Sequence, residues 1–184
     1  MGSMQNKALR LGLLVGVVAF HSAQLRASVT VTEPTGGQNI SADKSLNSTN
    51  GAAFTALGSI VITEGAINDF AAGTNKTFIL SAPSGWRFNA GVGSVTFQGS
   101  RDITAASISV TSSNLTVTLS VGGIVKSDIL TISGLQVQPL DGSLNPNPGY
   151  ILNLSANPGT ETIAGIIPDS TTFGFLARQK PCAS

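Results

Sequence analysis

The chain has little of what most protein chemistry requires. Its 184 residues include one cysteine, one histidine, one tryptophan and one tyrosine, and only 10% carry a charge. One cysteine can form neither an intramolecular disulfide nor a thiolate cluster. The charged fraction lies far below the ~25% of an ordinary globular chain, which excludes the charge-rich composition of disordered tails. Ten scattered Lys and Arg and a formal charge of +1 leave no basic footprint for nucleic acid. The longest apolar run, LGLLVGVVAF at 11–20, is too short for a membrane-crossing helix, which needs ~20 apolar residues. What the chain has instead is hydroxyl and glycine: 22 serines, 18 threonines and 21 glycines.

That apolar run follows Lys7 and Arg10 and precedes small residues ending at Ala27, the pattern of an export signal over residues 1–27. Cleavage is expected after Ala27 rather than after Ala23. Its removal would take away His21, the only histidine, and leave seven basic residues against nine acidic ones, a formal charge of −2. The expected destination is secreted, extracellular or at the cell surface, with no membrane span after signal removal. Cys182, near the C-terminus, has two readings there: a free thiol on a frayed tail, or an intermolecular disulfide between exported subunits.

Beyond the signal the dominant pattern is alternation of apolar and polar residues with period two, the mark of strands with one buried face. NLTVTLSV at 114–121 sets Leu115, Val117, Leu119 and Val121 on one face and Thr116, Thr118 and Ser120 on the other. Similar runs fall at 28–32, 59–64, 77–82, 92–97, 103–111, 128–133, 135–138, 150–156 and 171–177. No window carries a capped 3.6-residue stripe; the best, 65–72, is a turn or so. These features predict an all-β domain, an antiparallel two-sheet β-sandwich of the immunoglobulin-like or jelly-roll kind with about nine strands. Trp86 and the phenylalanines at 54, 70, 78, 88 and 97 are its expected bulk.

The stretch PTGGQNISADKSLNSTNG at 34–51 interrupts the rhythm and reads as a long loop or linker. The expected organisation is therefore a signal at 1–27, a strand arm and flexible linker at 28–51, a sandwich at 52–177, and a polar tail at 178–184. The arm (Val29, Thr30, Val31, Thr32) can fold back on its own sheet edge or pair with the edge of a neighbouring subunit.

The stretch 59–89, SIVITEGAINDFAAGTNKTFILSAPSGWRFN, carries Ile60, Ile62 and Glu64 on one strand, then Phe70, Gly73, Pro83, Gly85, Trp86 and Phe88. With ILTISGLQVQP downstream, broken at Gly134, it resembles secreted bacterial immunoglobulin-like or cohesin-like β-sandwich modules of surface proteins and extracellular fibres. The resemblance implies spacer, adhesion or assembly roles. It also implies that a buried acid such as Glu64 can promote a Lys–Asn isopeptide bond, with Lys76 or Lys126 as the amine. The chain departs from such proteins in carrying a single module without an LPxTG anchoring signal.

Without histidine, the mature chain can build no Ser–His–Asp or Cys–His arrangement and no imidazole zinc site. Ser41 and Lys44 match S-x-x-K, without the companion motifs that give this pattern meaning. The three glutamates, Glu33, Glu64 and Glu161, have no aromatic-rich surroundings typical of a sugar-cleaving cleft. Oxygen ligands make calcium the metal best matched to this composition, with Asp141, Asn145 and Asn147 as the candidates, although ordinary turn chemistry explains them equally well. Glycosylation sequons begin at Asn39, Asn47, Asn75, Asn114 and Asn153.

The expectation is an exported, non-catalytic structural protein without a cofactor. It would form a subunit of an extracellular filament or matrix, joined to other copies of itself by exchange of the N-terminal strand. The alternative is a secreted module binding carbohydrate or surface proteins.

Overall fold

The computed structural model describes residues 28–49, 51–143 and 148–179. The expected export signal at 1–27, Asn145, Asn147 and Cys182 lie outside the described residues. Within them the regular structure is almost entirely strand, with one short 3-10 turn at Ala42–Lys44. The alternating β-branched residues account for this: they favour the pleated backbone and offer it one buried face. No described helix is long and apolar enough to cross a membrane.

In chain order the strands are β1 (Thr30–Thr32), β2 (Ile40–Ser41), β3 (Thr55–Ala56), β4 (Ile60–Thr63), β5 (Gly73–Ser81), β6 (Trp86–Phe88) and β7 (Ser94–Phe97). They continue with β8 (Ile103–Val110), β9 (Asn114–Val121), β10 (Ile129–Ser133), β11 (Gln136–Pro139), β12 (Gly149–Leu152), β13 (Thr172–Leu176) and β14 (Arg178–Gln179). A five-stranded antiparallel sheet runs β13-β12-β5-β9-β8. Four strands, β1-β4-β10-β7, form a second sheet and three, β3-β11-β6, a third. These last two sheets share their chain segments: β3 runs on into β4, β6 into β7, and β10 through Gly134 into β11. Hydrogen bonds bridge the break, from Leu57 N–H to the Leu135 carbonyl and from Asn89 N–H to the Gln136 carbonyl, both 2.9 Å.

The inward faces meet in one core. Strand β9 contributes Leu115, Val117, Leu119 and Val121, β4 contributes Ile60 and Ile62, and β10 contributes Leu130 and Ile132. Trp86, Phe70, Phe78, Phe88 and Phe173 supply the bulk. Each such side chain contributes roughly 1.5–3 kcal/mol on burial. Several antiparallel sheets around a common core are consistent with a β-sandwich.

Two boundaries differ from expectation. The described part of the 34–51 stretch is packed rather than a flexible linker: Ile40, Ala42 and Ser45 are only 2%, 3% and 1% exposed, and Leu46 N–H donates to the Pro139 carbonyl at 2.9 Å. Its few apolar residues are too sparse to reveal a period, yet Ile40 enters the core and helps to anchor it. The tail likewise begins later than residue 178, because Arg178 is buried and β14 pairs with β2 in parallel. Phe54 is not fully buried but lies under Arg87, whose guanidinium carbon is 4.9 Å from the ring centroid.

Candidate functional site

The N-terminal segment binds together two sheet edges. Strand β1 pairs with β4 antiparallel, Thr30 opposite Thr63, Val31 opposite Ile62 and Thr32 opposite Val61, and it is the outermost strand of its sheet. Val29 and Val31 are half-buried against the core, while Thr30 and Thr32 face solvent. Before β1, Val29 N–H donates to the Ala164 carbonyl at 3.1 Å. Ser28 fits between two glycines: a Cβ at Gly165 would lie 2.2 Å from the Ser28 Cβ, and one at Gly65 would lie 2.5 Å from its carbonyl oxygen. Those distances are well inside van der Waals contact, so the seat exists only because neither position carries a side chain.

After β1 the chain crosses to the five-stranded sheet. Glu33 accepts a hydrogen bond from the Thr172 hydroxyl. Ala177 N–H donates to the Gly37 carbonyl at 2.8 Å, and Ile40 N–H donates to the Ala177 carbonyl at 3.1 Å. Ile40 then enters the core and β2 runs parallel to β14. Residues 28–41 thus form a strap from the edge of the four-stranded sheet to that of the five-stranded sheet. The proposed assembly strand, Val29 to Thr32, is the shallow end of this strap; Ile40 is its anchor.

Four carboxylates are buried near one end of the strands: Glu64, Asp69, Asp102 and Asp128. Each accepts backbone N–H groups from loops. Glu64 takes Phe70 N–H at 2.6 Å and Asp128 N–H at 2.7 Å. Asp69 takes Gly65 and Ala66, both at 2.9 Å. Asp102 takes Val125 at 2.5 Å and Lys126 at 2.6 Å, and Asp128 takes Asp102 and Ile103 at 3.1 and 3.0 Å. Burial raises the Glu64 carboxyl above its ordinary range, with these amides and neighbouring acids as smaller influences. Burial raises Asp128 likewise, and its Oδ2 is buried without a hydrogen-bond partner. The arrangement clamps loops, and no metal-holding group of acids, histidines or cysteines occurs among the described residues.

The residues considered for covalent chemistry have other partners. Lys126 Nζ donates to the Ser100 carbonyl at 2.8 Å, and the Lys76 stem passes over Gly73. Ser41 Oγ faces Asp43 at 3.4 Å, whereas Lys44 Nζ donates to Thr55 Oγ1 at 3.3 Å. Asp141 Oδ1 accepts from Asn47 Nδ2 at 2.7 Å and from the Ser143 amide and hydroxyl at 2.8 and 2.7 Å. The bonds from Ser143 and then Asn47 hold its carboxyl below the usual range. Asp141 therefore closes a turn and ties it to residue 47; its companion candidates, Asn145 and Asn147, are not described.

Sequence reasoning named Glu161 only to set it aside as a sugar-cleaving acid, and missed its burial. Both of its carboxylate oxygens are buried without a hydrogen-bond partner, and the nearby Ala71 N–H donates to the Thr162 carbonyl. Burial pushes this carboxyl up to about 7, against the smaller pull of the Ala71 amide and the Lys76 ammonium. Nothing around Glu161 in the sequence signals this, since the segment gains its place only by returning along β5, where Thr160 and Glu161 N–H both donate to the Thr77 carbonyl at 2.7 and 2.8 Å.

Compared with known proteins, the chain matches no family model, no curated protein and no solved structure.

Proposed function

We propose that this chain is an exported, non-catalytic structural protein whose copies assemble into an extracellular filament or matrix by exchanging strand β1. Its fold would be a β-sandwich of the immunoglobulin-like or jelly-roll kind, similar to the modules of bacterial surface proteins and fibres. The observation that carries the reading is the asymmetry of the strap. Strand β1 has three residues, pairs on one side only and contributes no fully buried side chain, whereas Ile40 at the other end is 2% exposed.

Detaching β1 breaks a few main-chain hydrogen bonds, each worth about 0.5–1.5 kcal/mol net, and uncovers the outer edge of β4. The β1 of an identical copy restores the same ladder, so exchange conserves most contacts while joining two molecules. Repeated from copy to copy, such a contact does not close and yields a fibre. Cys182 would add an intermolecular disulfide in an oxidising exterior. The non-catalytic part of the reading rests on a mature chain without histidine and on Glu64, Asp69, Asp102 and Asp128 being engaged by backbone amides.

The test compares residues 28–184 with the same chain lacking 28–32, using electron microscopy and size-exclusion chromatography. The shorter chain should fold with the same circular dichroism but remain monomeric, and a synthetic SVTVTE peptide should cap growth of the longer one. The deletion stops at Thr32 because removing Ile40 would open the core. Unimpaired polymerisation of the shorter chain, or a longer chain that stays monomeric at every concentration, would sink the reading.

A further inference from the structure

The outward side of the β12–β13 hairpin carries an aromatic pair placed there by a β-bulge. Tyr150 lies opposite Phe175, but Leu152 lies opposite Thr172, so β13 has one more residue than β12 over this interval. In a regular strand Phe173 and Phe175 would share a face. The extra residue, with Gly174 at φ +151, separates them. Phe173 is wholly buried, edge-on to Phe78 with centroids 5.4 Å apart. Phe175 instead reaches the outer surface and pairs with Tyr150 at 5.1 Å, and Tyr150 is 47% exposed. Bulges re-aim side chains in this way and concentrate at functional surfaces.

Phe175 forms one wall of a cavity of about 520 Å³ whose other side is the strap, with Glu33, Thr35, Gln38 and Asn39. That volume falls within the ~300–1,000 Å³ of small-molecule sites. Two of the polar groups are held in place by the sheet. Glu33 accepts from the Thr172 hydroxyl, and Asn39 Oδ1 accepts from Gln179 Nε2 at 2.7 Å, which turns the Asn39 NH₂ toward other acceptors.

We propose that this cavity binds a neutral, pyranose-containing glycan. The lining has no Lys or Arg to take phosphate or sulfate. Its single carboxylate is too few for a divalent cation, which takes 6–8 oxygens as calcium, and its amides and hydroxyl do not suit a lipid chain. A sugar ring presents an apolar C–H face to Phe175, which its pairing with Tyr150 beside the cavity helps to fix, and its hydroxyls both donate and accept, matching a carboxylate, two amides and a hydroxyl. Strand exchange and glycan binding are separable, since β1 contributes nothing to the cavity lining.

The experiment is affinity electrophoresis of residues 28–184, and of the chain lacking 28–32, through gels containing xylan, mannan, galactan, dextran or hydroxyethyl cellulose. At least one polysaccharide should retard both chains. Phe175→Ala and Gln38→Ala should each weaken the retardation at least tenfold while the circular dichroism of the folded chain is retained. Failure of all five polysaccharides to retard either chain would overturn the proposal, as would undiminished retardation of both variants. Loss of glycan binding with intact filaments, or the reverse, identifies which of the two proposals has failed.

Discussion

Strands β1 and β9 look alike in composition and differ in everything that fixes them. Both alternate hydroxyl and aliphatic residues. Strand β9 has eight residues, is paired on both sides by β5 and β8, and buries Leu115, Val117, Leu119 and Val121 at 0–4% exposure. Strand β1 has three residues, one partner and a single, half-buried valine. Period two therefore establishes that a segment becomes a strand, while the number of neighbours and the depth of its inward residues establish how firmly it stays. This difference is why the assembly reading falls on the arm.

The largest expected effect comes from the centre. Leu119→Ala should cost roughly 2–5 kcal/mol through lost burial and the residual cavity, read as a lower urea midpoint. Val31→Ala in the arm should cost less than ~1 kcal/mol, because its valine is only partly removed from water. Equal losses at the two positions would erase the distinction between core and strap.

An intermediate effect belongs to the 158–163 segment, attached to the edge of β5. The folded Glu161 carboxyl stands at about 7 against 4.5 for the free group. A raised folded value means that the folded state holds the proton more tightly, so the contribution to stability is fully present below pH 4.5 and is lost as pH rises through about 7. Since the group is only half-buried, solvent screening reduces the loss to about 1–2 kcal/mol. Glu161→Gln should therefore raise the melting temperature at pH 8 and leave it nearly unchanged at pH 4. An equal shift at both values would locate the effect outside this titration.

The smallest effect isolates the arm. Gly65→Ala places a methyl 2.5 Å from the Ser28 carbonyl oxygen, which should unseat Ser28 without touching the core. Hydrogen exchange at the Val29 amide should accelerate at least tenfold while the global melting temperature moves by about 2 °C or less. That corresponds to about 0.5–1 kcal/mol at most in a domain of this size. Retained protection at Val29 would show that the seat does not control the arm.

Much of the fold was legible because burial on one face of a strand writes itself as alternation. The 114–121 reading coincides with β9. The 150–156 reading overran β12, which ends at Leu152 because the Asn153 amide turns to donate to the Ile79 and Pro158 carbonyls at 2.8 and 2.9 Å. Strands β2, β3, β6 and β14 have two or three residues each, too few to show a period. The outward turn of Phe175 runs against the alternation itself, since a bulge shifts parity without leaving a signature in the side chains.

By itself, the sequence determined the strand class of this chain, the identity of most core residues and the scarcity of ionisable and nucleophilic groups. These follow from local periodicity and composition, which act at short range along the backbone. Only the tertiary structure decided that residues 28–41 form a strap, that the carboxylate oxygens of half-buried Glu161 are left without a partner, and that Phe175 meets Tyr150 beside a cavity. Each of these depends on segments far apart in the chain, Gly37 with Ala177, Glu161 with Thr77, Asn39 with Gln179. Such pairings are selected by packing of the whole core, and no local pattern encodes them.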